Sequence, residues 1–375
     1  MLIWGTMKSK SPAKQTEPSR KIDKYWVPIV AKTLDLLDCF SSVNETLTLE
    51  EVVRRTGIPH TSAFRILHTL VVRDYLSQSG RQYRLSRLRK KLKFGFANLS
   101  KHIQLAVEIQ TSLEKAATTS GVNLVVWDND RNADTAIRNA ELMVAEKVDL
   151  AIEFQLFEQV APVISDIFAR AGIPLISLVN PHHGTVYFGV NNYRAGLTAG
   201  LALAEYTVNH WRSKVDALVL LESPLAGRTT HSRSVGVLKG MEERLGKLPE
   251  NIIHHLDGGG DKATSKVALS NFLKSVRPSS KILVAGINDE SAIGAVEAVN
   301  TMKGPNQIAI VGHGGSAEIL DIIKYPKSPC IGVVSFNAER YGSELFNFTL
   351  PIVQGRSAPT GQYVPHKFIS RAAAK

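Results

Sequence analysis

The densest chemistry in this chain sits in one short stretch. His60, Thr61, Ser62 and Arg65 fall in the first turns of a predicted helix, directly after a tight turn at Gly57-Ile58-Pro59. A helix entering the major groove of duplex DNA presents its N-terminal side chains to base edges, so imidazole, hydroxyl and guanidinium groups at these positions can contact bases or phosphates. Arg65 is the strongest of the four, because a guanidinium fork fits guanine O6/N7 and phosphate oxygens alike. Arg81 and Arg84, in a predicted hairpin that follows, are placed to reach phosphates or the minor groove. For any one of these residues the competing reading is an ordinary solvated charge, and His68 can equally pack between helix and hairpin.

Other reactive side chains do not assemble into a catalytic set. Gly258-Gly259-Gly260-Asp261-Lys262 lacks phosphate-loop spacing, since Lys262 follows Asp rather than Gly, and reads as a flexible loop. His313-Gly314-Gly315-Ser316 resembles an oxyanion turn, but the chain contains no G-x-S-x-G elbow to use it. His182-His183 has no third partner at metal-binding spacing and reads as an exposed loop, and Cys39 and Cys330 form neither a paired scaffold nor a metal cluster. The expectation is therefore no enzyme activity, no cofactor and no metal.

Charge singles out the same segment as the side chains. Residues 1–93 hold 18 of the 45 Lys and Arg but 8 of the 34 Asp and Glu, which leaves 27 against 26 for the rest of the chain. A single-sign field on a small segment attracts phosphate or an anionic surface. At 375 residues, with 44% hydrophobic and 21% charged residues, the chain exceeds one hydrophobic core and should form two or three globular domains. No run is apolar enough for a membrane span, and the start, whether Met1 or Met7, lacks a signal-peptide pattern, so a cytoplasmic location is expected.

These side chains need elements to hold them. Residues 1–24 are rich in Lys, Ser and Pro and read as a disordered basic arm. Val27, Ile29, Val30, Leu34, Leu37 and Phe40 recur at helical spacing, ending at Ser41-Ser42-Val43-Asn44. Thr48 with Glu51 has capping-box spacing for a short helix to about Thr56. Thr61 can cap the next helix, Ser62 to Val72, with Phe64, Leu67 and Val71 on one face. Tyr75-Leu76-Ser77-Gln78 and Tyr83-Arg84-Leu85 read as two strands about Ser79-Gly80-Arg81, and Arg87, Arg89, Lys90, Lys91 and Lys93 as a solvated connector. Beyond it, apolar strands alternate with helical segments, as in parallel sheets flanked by helices: 92–96, 123–127, 150–153, 175–178, 217–221, 252–255, 282–285, 308–311 and 330–334.

Leu34-Asp35-Leu36-Leu37, Leu47-Thr48-Leu49-Glu50-Glu51-Val52, the run from Thr56 to Leu70, and Tyr75-Leu76 resemble the winged helix of isocitrate-lyase-regulator (IclR) type proteins over about residues 27–86. The resemblance implies DNA binding, with Thr61, Ser62 and Arg65 at recognition-helix positions.

The larger segment, about 92–370, is similar instead to the type I periplasmic-binding-protein fold of ribose-binding proteins and lactose-repressor-like regulators. Phe94-Gly95-Phe96-Ala97-Asn98, Ala171-Gly172-Ile173-Pro174-Leu175-Ile176, the run Phe188 to Gly196 and the run Ala285 to Gly294 carry it. Such a fold holds ligand between two lobes, outside the carboxyl ends of its strands. The resemblance places Asn98, Ser100, His102, Glu153, Phe154, Asn180, His231, Arg233, Asn288, His313 and Ser335 at ligand-binding positions. Asn288 stands in the best-matched turn, where Asn-Asp is also a sound helix cap. The sugar-binding pattern is broken at Ile103 and Gln104, at Val179 and Asn180 and at Gly314, so a simple pentose or hexose is not implied. Glu153 can either restore a carboxylate or be a surface charge.

The expected fold class is α/β: an N-terminal winged helix-turn-helix over 25–89, then a two-lobed parallel-sheet domain of periplasmic-binding-protein type over 90–375. The expected function is a transcriptional regulator whose affinity for double-stranded operator DNA is controlled by a small polar ligand, a sugar or sugar derivative. Both resemblances imply a homodimer or higher homo-oligomer, without a membrane partner. The alternative is a cytoplasmic sugar-binding protein whose basic domain contacts another protein.

Overall fold

In the computed structural model, which describes residues 25–41, 45–86, 92–182, 184–302, 307–353, 355 and 359–374, the chain divides into two units, Met1–Lys90 and Lys91–Lys375. The basic arm, Ser42-Val43-Asn44, the connector residues Arg87, Arg89, Lys90 and Lys91, and His183 lie outside the described residues.

The first unit runs α1 (Pro28–Asp38), β1 (Thr46–Thr48), α2 (Leu49–Thr56), α3 (His60–Val72), β2 (Leu76–Ser79) and β3 (Gln82–Leu85). The capping box is complete: Thr48 Oγ1 accepts from the Glu51 N–H at 3.3 Å, and Glu51 Oε2 accepts from the Thr48 N–H at 2.8 Å. Gly57 closes α2 at φ +69°, a left-handed conformation that costs glycine little, with its N–H on the Val53 carbonyl. Leu36, Leu47, Val52, Ile66, Leu67 and Tyr83 share one buried core beneath an antiparallel β1-β3-β2 sheet.

Three expectations for this unit need correcting. The strand β1 has no counterpart in the sequence reading, because three residues are too few to show alternation. The recognition helix begins at His60 on an N-cap at Pro59, with the Ala63 N–H on the Pro59 carbonyl, so Thr61 lies inside the first turn and caps nothing. Phe64 is half exposed rather than on the core face. It stacks on His68 with ring centroids 6.4 Å apart, while Ala63, Ile66, Leu67 and Leu70 face inward. His68 is thereby settled as an outward residue.

The second unit opens with β4 (Lys93–Asn98), α4 (Gln104–Ser120), β5 (Asn123–Asp128), α5 (Ala133–Ala145), β6 (Leu150–Glu153), α6 (Ala161–Ala171), β7 (Leu175–Leu178) and β8 (Val186–Gly189). It continues as α7 (Asn192–Trp211), β9 (Ala217–Glu222), α8 (Gly227–Leu245), β10 (Ile253–Asp257), α9 (Lys262–Ser275), β11 (Lys281–Gly286), α10 (Asp289–Thr301), β12 (Gln307–Gly314), α11 (Ala317–Lys324) and β13 (Cys330–Ser335). The last elements are α12 (Ala338–Val353), β14 (Gly361–Tyr363) and β15 (Lys367–Ser370). Two six-stranded sheets result, ordered β14-β8-β7-β6-β4-β5 and β10-β9-β11-β12-β13-β15, parallel except for β15. Strands such as β6 and β7 are buried on both faces, which explains why they are mostly apolar. Lys93, read both as the end of the solvated connector and as part of the strand 92–96, begins β4 and pairs with Glu146 at 2.5 Å. The strands β8, β14 and β15 were not expected; each is four residues or fewer and lies beside a turn or at an edge.

Each sheet with its helices is one lobe, and the chain passes between them three times, after β8, after β13 and after β14. These crossings are bonded to one another. The Val364 N–H donates to the Gly189 carbonyl at 2.8 Å, and Asn337 Nδ2 donates to the Pro365 carbonyl at 2.7 Å. On its return, α12 packs on α4: Ser112 Oγ accepts from the Gly342 N–H at 2.9 Å, and Phe346 meets Phe94 at 5.3 Å between ring centroids.

In the second lobe α7 and α8 lie in backbone contact through matched glycines four residues apart. A Cβ at Gly200 would stand 2.1 Å from the Val237 carbonyl oxygen, and one at Gly240 would stand 2.4 Å from that of Leu197. Alanine would raise helix propensity at either site, but it would force the helices apart. Gly200→Ala is therefore expected to destabilise this unit by about 1–3 kcal/mol, the range for overpacking. Denaturant unfolding followed by circular dichroism checks it, and an equal or higher midpoint would contradict the contact.

Candidate functional site

On α3 the outward face is made of His60, Thr61, Phe64, Arg65 and His68, with Ser62 half-buried. Arg81 and Arg84 are exposed on the β2–β3 hairpin, where the period of two places Arg84 outside between buried Tyr83 and Leu85. Arg55 is committed elsewhere: Nη2 pairs with Glu45 at 2.8 Å, and Nη1 donates to the Cys39 carbonyl. The six residues expected to meet DNA thus stand on a helix and an adjoining hairpin, with their side chains open to a partner.

The second site is the crevice between the two sheets, at the carboxyl ends of β4, β6, β7, β9, β11, β12 and β13. Its walls include Leu99, Phe154, Val179, Asn180, Ser223, Ile287, Asn288 and Phe336, each on the segment leaving one of those strands, and His313 near the end of β12. Thr230 and Arg233 enter from the first half of α8, and Ile103 and Leu105 from the start of α4. The lobes touch across the opening. Thr230 Oγ1 donates to Asn180 Oδ1 at 3.1 Å, Arg131 Nη2 donates to the Gly259 carbonyl at 3.0 Å, and Glu108 Oε1 accepts from the Ala317 N–H at 2.8 Å. In the last of these, a carboxylate from one lobe meets the N-terminus of a helix in the other, a favourable charge arrangement.

Of the eleven residues that the resemblance assigned to ligand, five line this crevice: Phe154, Asn180, Arg233, Asn288 and His313. Asn288 does so mainly as a cap: its Oδ1 accepts from the Ser291 N–H at 2.9 Å, and its Nδ2 donates to the Gly260 carbonyl at 2.9 Å. His313 donates Nδ1–H to the Gly286 carbonyl at 2.8 Å, and burial, aided by the nearby Arg233 charge, pulls its pKa down to about 3, so the ring is neutral.

The other six are not among these lining residues, although His231 lines an adjoining pocket that shares Ser223 and Ile287 with the crevice. Asn98 is consumed within its lobe, donating to the Ala106 carbonyl and to Gln110 while accepting from the Leu99 N–H. Ser100 accepts from the His102 N–H, and Ser335 accepts from the Asn337 N–H, both as buried turn bonds. His102 is exposed. His231 is exposed too, with Nδ1 3.1 Å from Glu222, which His255 also approaches. Glu153 is neither a surface charge nor a crevice carboxylate. It is fully buried, with Oε1 accepting from Asn129 Nδ2 at 2.9 Å and Oε2 without a partner among the described residues.

Two loops also differ from expectation. His182 is buried rather than exposed, with Nε2 2.9 Å from Gln155 Nε2 and a pKa lowered by burial to about 4. The glycine run 258–260 forms a tight turn that ends in Asp261 capping α9, and Ser265 Oγ donates to the Gly258 carbonyl.

Sequence reasoning missed Asp289, Thr230 and Phe336. Asp289 is buried, with Oδ1 accepting from the Gly315 N–H at 3.1 Å and Oδ2 from the Ser316 N–H at 2.8 Å; burial raises its pKa to about 6 against these two donors. Its neighbour Asn288 marked the turn, so an acidic residue at the next position was the available signal. Phe336 directly follows the strand-end serine that was chosen, a shift of one residue. Thr230, mid-helix and uncharged, carried no signal.

A family model for the periplasmic binding protein domain matches residues 94–357, and one for the IclR helix-turn-helix domain matches residues 29–80. The Pca regulon regulatory protein of Pseudomonas putida is 33% identical over 144 residues, which are 38% of this chain and 48% of that protein, so the match spans about half of its length. The HTH-type transcriptional repressor PurR of Escherichia fergusonii is 22% identical over 348 residues, covering 86% of this chain and 96% of that one. Among solved structures, a periplasmic solute binding protein from Actinobacillus succinogenes with bound D-allose superposes with a TM-score of 0.65 at 18% identity, over 76% of this chain and 99% of that one. A solute binding protein from Bacillus halodurans with bound myo-inositol gives 0.64 at 17% identity, over 76% and 96%. At these identities the two structures are alike in fold.

The buried carboxyl of Glu153 makes a pH prediction. Burial raises its pKa well above 4.5, so the folded protein holds a proton that the unfolded chain releases. That contribution to stability is complete below about pH 4.5 and is lost as pH rises through the raised value. Glu153→Gln, isosteric and uncharged, is expected to gain stability relative to the parent as pH goes from 5 to 8. Urea unfolding at several pH values measures it; parallel pH profiles for the two proteins would remove Glu153 as the buried proton holder.

Proposed function

The chain belongs to the family of the periplasmic binding protein domain, and from that premise, joined to its helix-turn-helix segment, we propose a DNA-binding transcriptional regulator switched by a small polar ligand. The observation that carries this reading is the pairing, in one chain, of an exposed recognition face with a crevice bridged by both lobes. On that face Arg65 reads a base or clamps a phosphate, Ser62 and Thr61 supply hydroxyl donors, His60 sits at the helix start, and Arg81 and Arg84 hold the backbone beside it. In the crevice, a ligand that binds the lobes better in one arrangement than another shifts the balance by its differential affinity and no more.

The ligand of this reading is a sugar or sugar derivative, in keeping with the fold shared with the two solute binding proteins. The working form is a homodimer, so that two recognition helices meet two half-sites of a pseudo-palindromic operator. The site of action is the cytoplasm, where such DNA is found, and the crevice performs no chemistry. Among the described residues no helix is long and apolar enough to cross a membrane.

Arg65→Ala is expected to weaken binding to the operator by about 1–3 kcal/mol, roughly 5- to 150-fold, the value of one good base contact. Fluorescence anisotropy with a labelled duplex measures it, and an unchanged affinity would take Arg65 off the interface. For the parent protein, affinity should also fall steeply with salt and be higher for the operator than for random duplex. Flat salt dependence would favour the alternative, a basic domain that meets protein.

A further inference from the structure

A buried cation stands in the crevice wall with donors to spare. Arg233 is 4% exposed. Its Nε donates to Asn192 Oδ1 and its Nη1 to the Ile287 carbonyl, both at 2.7 Å, and its guanidinium carbon lies 5.1 Å from the centre of the Phe336 ring. Among the described residues Nη2 makes no hydrogen bond, and no carboxylate reaches ion-pair distance of the guanidinium. Burial brings its pKa down only to about 10, so the group stays charged at neutral pH.

Asp289 eases this charge through space, but no acid forms an ion pair with it among the described residues. Both oxygens of Asp289 accept from backbone N–H groups, and Glu290 lies 3.6 Å from Lys262. The amide oxygens in the wall are also taken, Asn180 Oδ1 by Thr230 and Asn288 Oδ1 by Ser291. Each of these oxygens thus already holds one donor, and the neutral ring of His313 keeps Nε2 without a partner among the described residues. An unpaired buried charge is strongly unfavourable, and a planar guanidinium with a free edge is the side chain best shaped to hold a carboxylate. Around that edge much of the wall is apolar, from Leu99, Ile103, Leu156, Val179 and Ile287.

We propose that the crevice takes a small organic carboxylate, its anion on Nη2 of Arg233 and its body against the apolar wall. This rests on the crevice being the ligand site of the regulator. Two kinds of molecule share the chemistry, a sugar acid and an unhydroxylated carboxylic acid, and the inference concerns the carboxylate common to both.

The test uses the purified full chain and pairs each acid with a neutral counterpart of similar shape: galacturonate with galactose, gluconate with glucitol, benzoate with benzamide, cyclohexanecarboxylate with its amide. Thermal shift screens the panel, and calorimetry measures the hits. The expected result is that at least one acid raises the unfolding temperature while its neutral partner does not. Arg233→Gln should then weaken that acid by roughly ten- to hundredfold, as for loss of a charge-assisted bond. Arg233→Lys, which keeps charge but not the fork, should fall between the two, and a cooperative unfolding transition without ligand reports that each variant folds. A hit from the first two pairs identifies a sugar acid, and one from the last two an unhydroxylated acid. The proposal is overturned if no acid stabilises the protein, if a neutral member binds as well as its acid, or if Arg233→Gln binds the acid unchanged. The regulator reading fails separately, if an acid binds in the crevice but leaves operator affinity unaltered.

Discussion

One buried guanidinium organises the second lobe's side of the crevice. Arg233 projects from α8, holds Asn192 at the start of α7, holds the carbonyl of Ile287 beyond β11, and lies against Phe336 in the second crossing between lobes. Asn192 directly follows the first crossing. The same side chain therefore ties the second lobe to two of the crossings and faces the ligand space. Charge in a buried place is tolerated only when its surroundings are arranged around it. Here the arrangement is made by backbone carbonyl, amide oxygen and aromatic face, which fix orientation without neutralising the charge.

The close approach of α7 and α8 makes that possible. Glycines at 196, 200, 236 and 240 let the two backbones touch, and the Arg233 carbonyl itself occupies the space a Cβ on Gly196 would need. With the helices this near, the N-terminus of α7 and the first turns of α8 form a stiff frame for the crevice. Across the opening, contacts such as Glu108 to the Ala317 N–H are single hydrogen bonds between lobes. Rigid lobes joined by three strands of chain and a few bonds are the construction expected for hinge closure.

Much of this was legible from sequence, and unevenly so. Thr48 and Glu51 announced α2 because the capping box is a local motif whose partners lie three residues apart. Most strands of the two sheets were legible because strands buried on both faces are mostly apolar. The helix start at Pro59 was missed in favour of Thr61, since a hydroxyl is a visible cap and a proline backbone is not. Phe64 was turned inward on hydrophobicity alone, although Ala63 and Ile66 fill the core beside Leu67. In the crevice, strand-end segments were legible more readily than single residues: Phe336 lines the wall where Ser335 was expected, and Asn288 lines it together with Asp289 beside it. Whether a polar side chain faces ligand or its own backbone depends on a partner far away in sequence, as Asn98 and Glu153 show.

The account's central claim is that the crevice and the recognition helix are energetically coupled, and coupling between two binding sites is reciprocal. The most direct measurement is calorimetric titration of the stabilising ligand into the full chain, once alone and once saturated with operator duplex. The account predicts that the ligand's affinity changes between the two titrations by the same factor as the ligand changes operator affinity. Identical ligand affinities with and without operator would contradict it.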